Sequence, residues 1–286
     1  MAGDELVLGA VAYDPKVVTI WEGFKTWFAR HGLPFDYVLY SNYERLVDAH
    51  LAGHVDVAWN SPLAWVRARR LGAARGVGVR PIAMRDTDCD LRSVVVVLSG
   101  SPVQEVRDLA GKVVGVGAVD SPQATLLPLW HLRAEGLDHG VDFQVRAFDV
   151  LAGKHGDHVG GERDAARALL AGEVDAACLV DGNHALFAAD GTLPPAATRV
   201  LARTPAYDHC NFTVTDAAPQ DLVERFRSLL LGMSHDDPEV RPLLDLEGLR
   251  AWRPGRLEGY QPLEAAVDQA GFYDHAGRLT AAGYHP

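Results

Sequence analysis

The sequence predicts a two-lobed α/β fold, each lobe a mostly parallel sheet flanked by helices, the two joined by a pair of hinge crossovers. Three observations carry this expectation. At 286 residues the chain is about twice the ~150 residues of a typical single domain. Strand-like and helix-like apolar patterns alternate along it, the order that builds a sheet covered on both faces. That alternation runs through one unit and then starts again.

The elements follow in order. Residues 6–12 read as a buried strand, and apolar residues recur at helical spacing over 17–28. Residues 36–40 form a second strand, 43–51 a helix ending near Gly53, and 55–59 a third strand. Asn60-Ser61-Pro62 then opens a helix, with a capping hydroxyl followed by proline at the first turn. Strands are expected at 76–83 and 93–98. The second unit begins with a short helix and turn at 106–112 and a strand at 113–116. It continues with a helix at 123–135, a strand at 143–148, a helix at 162–171, a strand at 174–179, a helix at 182–189 and a strand at 198–203. Another strand from Phe212 and helices at 222–231 and 263–270 complete the chain. The expected division places residues 1–96 and 204–286 in one lobe and 97–203 in the other.

Composition narrows the function classes. The net charge of −11 argues against binding nucleic acid or an anionic membrane, which needs a basic face to displace counterions. It leaves an anionic small ligand open, because a helix N-terminus or one lysine reverses the field inside a cleft. No apolar run approaches the length of a membrane span. The first charges, Asp4 and Glu5, are acidic, and the apolar stretch after them is only strand length, unlike a secretory leader. The expected location is therefore the cytoplasm, which counts against a transporter partner. Three cysteines, Cys89, Cys178 and Cys210, make no disulfide framework.

Three segments carry a family resemblance. Tyr43-Glu44-Arg45-Leu46 with the run from Leu51 through Asp56-Val57-Ala58-Trp59-Asn60-Ser61-Pro62 resembles the first-lobe signature of the phosphonate-binding-protein family. Asp108-Leu109-Ala110-Gly111-Lys112 with the following valines resembles that family's entry to the second lobe, and Leu170-Ala171-Gly172-Glu173-Val174-Asp175-Ala176 its return toward the hinge. The resemblance spans roughly residues 5–232. It implies the type 2 periplasmic-binding-protein fold and an interlobe cleft in which helix N-termini and hydroxyls cradle a small polar, anionic ligand. Ligands of open α/β sheets sit beyond the carboxyl ends of strands. The residues so placed are Tyr13, Asp14, Asn60, Ser61, Ser121, Gln123 and Thr125, with Lys154 and His155 on a glycine-flanked loop. In Asp120-Ser121-Pro122-Gln123-Ala124-Thr125 the hydroxyls are fewer than the family's cradle carries, proline removes an amide, and Asp120 adds a repelling charge.

A second expectation comes from loop chemistry. His155, Asp157 and His158 cluster in one loop, and His209-Cys210 lies just past the second crossover. Imidazole, carboxylate and thiolate suit a transition metal such as Fe, Zn or Cu. The alternative function is accordingly a metal-dependent cytosolic enzyme of oxygenase or lyase type on the same fold. The plain reading of these loops is direct hydrogen bonding to a ligand. Asp181 and His184 flank another helix start. His50 and His54 are expected on the solvated surface, and Trp59, Trp65 and Trp130 in the core.

Overall fold

The computed structural model describes residues 5–156 and 161–286. Leu6–Val11 (β1) and Phe35–Tyr40 (β2) pair in parallel around the helix Lys16–Arg30 (α1). Val17, Ile20, Trp21, Phe24, Trp27 and Phe28 recur at three- and four-residue steps on α1, so one face packs on the sheet. Asn42 caps Tyr43–Leu51 (α2) by accepting from the Arg45 amide at 2.9 Å. Val57–Asn60 (β3) leads into Pro62–Arg75 (α3), capped by the Ser61 hydroxyl, with Gly76 in the left-handed region ending it. Val79–Arg85 (β4) closes the first run.

The chain then crosses to a second sheet. Ser93–Leu98 (β5), Val113–Val116 (β6), Gln144–Ala147 (β7), Ala176–Val180 (β8) and Thr198–Arg203 (β9) build it in the order β7-β6-β8-β5-β9. Its helices are Leu127–Ala134 (α4), Glu162–Leu170 (α5) and Asp181–Ala189 (α6). A π-turn at Pro122–Leu126 precedes α4, where the sequence predicts one continuous helix. The chain returns through Asn211–Thr215 (β10), Gln220–Leu231 (α7), Arg241–Glu247 (α8), Trp252–Pro254 (β11) and Gln261–Ala270 (α9). The first sheet has the order β11-β4-β10-β3-β1-β2.

Both sheets are mixed yet mostly parallel, as expected: β10 and β11 run against the other strands of the first sheet, and β5 against those of the second. The strands that follow a crossing, β5 and β10, run antiparallel to their neighbours β8 and β9 or β3 and β4. A strand entering from the other lobe arrives from the opposite end, whereas the β-α-β units within a lobe remain parallel. The crossings occupy residues 86–92 and 204–210. They are tied together by paired Leu91–Tyr207 bonds and by the His209 amide on the Asp88 carbonyl at 2.9 Å. All of β5 therefore belongs to the second sheet.

Each lobe has apolar clusters on both faces of its sheet. A further cluster spans the lobes: Trp65 of α3, Leu126, Tyr207, Tyr260 and the tail residues Phe272, Tyr273 and Tyr284 pack together. Trp59 and Trp65 are core as expected, but His50 is buried and not surface. Desolvation holds its imidazole down at about 4.

Candidate functional site

The carboxyl ends of β3, β6 and β8 face one another between the lobes, and the loops beyond them carry two neighbouring polar clusters. One is sealed and the other opens on a cavity.

The sealed cluster centres on His155, which the second lobe inserts into the first. His155 is 1% exposed. Its Nδ1 lies 2.5 Å from the Ser61 hydroxyl and its Nε2 3.0 Å from Glu44 Oε1, while Tyr43 stacks on the ring at 4.8 Å. Asp120 Oδ2 accepts the His155 and Gly153 amides at 2.8 Å each, fixing the loop. The backbone turns there by left-handed residues, φ +55° at His155 and +57° at Gly156. Gly156 admits no side chain, because a Cβ would sit 2.5 Å from that of Ser121. From the first lobe's tail, the Tyr273 hydroxyl donates to Glu44 Oε1 at 2.8 Å, and Tyr284 lies 3.4 Å from the same oxygen.

Charge explains this packing. Burial pushes the Glu44 carboxyl up, but the charge and hydrogen bond of His155 outweigh it and hold the group at about 2. Burial raises the Asp120 carboxyl. Glu44 Oε2 and Asp120 Oδ1 are buried without a hydrogen-bond partner among the described residues. The order hydroxyl–imidazole–carboxylate has the composition of a hydrolytic triad, but Ser61 is 1% exposed and already accepts from the Ala64 amide. Ser61 is not among the residues that line the cavity described below. The arrangement is a latch between lobes.

The open cluster lines a cavity of about 480 Å³. The first lobe and hinge contribute Lys16, Arg85, Asp88, His209 and Glu247; the second contributes Gln123, Gly182 and Asn183. Arg85 is buried between two carboxylates. It donates to Asp88 at 2.6 and 3.0 Å and to Glu247 at 3.3 Å. Desolvation opposes ionisation of Asp88, but the Arg85 charge and the His209 hydrogen bond keep its carboxyl far below the usual range. Gln123 connects the clusters: its amide NH₂ donates to the Gly156 carbonyl at 2.8 Å, and its Oε1 faces His209 Nε2 at 3.3 Å.

The sequence-predicted residues divide accordingly. Gln123 and His209 line the cavity. Ser61 and His155 belong to the latch. The hydroxyls of Ser121 and Thr125 are committed to the Ala124 amide and the Ala118 carbonyl, and the Asn60 amide to Thr213. Tyr13 packs against the first-lobe core, Asp14 is exposed, and Lys154 reaches the Ser41 carbonyl across the lobes. His155 and His209 are therefore in separate clusters, not in one ligand set. Asp157 and His158 lie outside the described residues. Arg85, Asp88, Asn183 and Glu44 were missed as site residues. Glu44 sat in plain view within the quoted family signature, whereas Asp88 and Arg85 carry no motif.

The family model for the periplasmic substrate-binding protein of phosphonate ABC transporters matches residues 10–260. The chain belongs to that family. Among solved structures it is similar to PhnD1 of Prochlorococcus marinus in complex with methylphosphonate, at 16% identity and a TM-score of 0.69, covering 94% of this chain and 98% of that one. It is also similar to XAC2383 of Xanthomonas citri bound to ATP, at 18% identity, TM-score 0.68, and 93% and 98% coverage. The periplasmic aliphatic sulphonate-binding protein SsuA of Escherichia coli follows at 16% identity and TM-score 0.54, with 93% and 84% coverage. The fold is thus the two-lobed type 2 periplasmic-binding-protein fold, and the function class is solute binding. The family match favours the binder over the enzyme.

Proposed function

We propose that the chain is a receptor that takes one small polar solute with an anionic head group into the cavity between its lobes, the head group lying at the start of α6. One observation carries this reading: α6 begins at the cavity wall, and among the described residues no side chain caps its amides. The first amides of a helix lack internal partners and, with the helix dipole, attract an anion. The starts of α3 and of the π-turn before α4 are already served by Ser61 and Ser121, and the Lys16 amide at the start of α1 by Asp14. Lys16 supplies a cation across the cavity, and Gln123, Asn183 and His209 supply directional hydrogen bonds. Delivery of the solute to an ABC importer, the role described for the family, belongs to the same proposal.

Isothermal titration with methylphosphonate, methanesulfonate and inorganic phosphate as probes tests it. At least one is expected to bind, and Gln123→Ala or Asn183→Ala to weaken it about tenfold, the ~1.4 kcal/mol of a lost hydrogen bond. Binding unchanged in both variants overturns the assignment. So does the absence of binding by every probe, together with no solute carried through native mass spectrometry.

A further inference from the structure

We propose that Asp88, His209 and Cys210 form a transition-metal site of the Zn²⁺ class at the hinge, independent of the solute. Asp88 is on the first crossing, while His209 and Cys210 end the second. The ligand atoms of the three side chains lie within 4.8 Å of one another, and all three residues are buried. His209 Nδ1 is 3.1 Å from Cys210 Sγ and 3.3 Å from Asp88 Oδ1. Metal bonds of about 2.0–2.3 Å at tetrahedral angles place neighbouring donors about 3.3–3.7 Å apart, close to these separations.

The hydrogen bonds around the ring orient it for ligation through Nδ1. Because the Gln123 NH₂ is committed to Gly156, its oxygen faces His209 Nε2, which therefore carries a proton. Nδ1 is turned toward a carboxylate and a sulfur, and the proton by which it bonds Asp88 leaves for solvent when it ligates. A cation resolves that convergence, and Gln123 becomes the outer partner that orients a ligating imidazole. Binding forms the metal–sulfur bond and releases the thiol proton to solvent. Sulfur among the ligands disfavours Mg²⁺ and Ca²⁺. Asp88 and His209 also line the cavity, so a further coordination position is open to water.

Cobalt is the probe, since a thiolate bound to Co²⁺ gives a near-ultraviolet charge-transfer band that carboxylate and imidazole do not. Reduced, chelator-treated, tag-free protein titrated with CoCl₂ is expected to develop this band to one equivalent, and ZnCl₂ to erase it. The Cys89→Ser/Cys178→Ala variant, with Cys210 as its one thiol, should keep the band, and Cys210→Ser should lose it. No band in the wild type overturns the site, as does a band that survives in Cys210→Ser or vanishes in the double variant. The spectrum needs no solute, so failure of the solute-binding proposal leaves it readable.

Discussion

At the scale of the residue, the decisive groups are buried carboxyls whose neighbours set their charge. Glu44 is held at about 2, below its ordinary value, so its contribution is complete above about pH 4.5. That contribution is lost as pH falls from there toward 2. Urea midpoints across this window should fall for the wild type and stay flatter for Glu44→Gln. Glu162 has the opposite sign. Its Oε2 accepts from the Val180 amide and from Asn183, its Oε1 has no partner among the described residues, and desolvation pushes the carboxyl up to about 7. The Glu162 contribution is then fully present below about pH 4.5 and is lost as pH rises through 7. Glu162→Gln keeps an acceptor without the charge. It should raise the melting temperature more at pH 8 than at pH 5, and an equal gain at both would refute this account.

At the scale of the element, the 153–156 loop works because two successive left-handed residues and one missing side chain bring His155 into the other lobe. Gly156→Ala combines an unfavourable φ with a collision against Ser121, and should cost about 2 kcal/mol or more in a urea titration. Tyr273→Phe leaves Glu44 short of a donor and should cost about 1–3 kcal/mol. These elements also show what linear reading can reach. Alternating periods placed α1, α2, α5 and the strands β1 to β6, β8 and β9, which carry apolar stripes of their own, whereas β7 is largely exposed. The π-turn ahead of α4 has no such signature, and α8 and β11 are too short to show a period. Ser61 was legible as a cap, since capping is local chemistry. Its pairing with His155, 94 positions away, depends on lobe closure and had no local trace. Cavity residues Arg85 and Asp88 were hidden for the same reason, while His209 stood out through its side-chain type alone.

At the scale of the whole molecule, the lobes are held by contacts that a solute alone does not supply: the His155 insertion, the Lys154 reach to Ser41 and the apolar cluster that spans the hinge. A receptor closed by its own side chains favours the compact form before any solute arrives. His155→Ala should shift the solute-free protein toward a larger radius of gyration in small-angle scattering, and an unchanged radius would show that the latch does not set closure. The tail has a practical consequence. Tyr284 lies beside Glu44, and the Pro286 backbone comes within 3.8 Å of where a Gly153 side chain would begin. A purification handle fused after Pro286 would therefore emerge next to the loop that carries His155. Affinities measured on such a fusion would report the handle as well as the receptor, so an N-terminal, cleavable handle is the sound choice for every assay above.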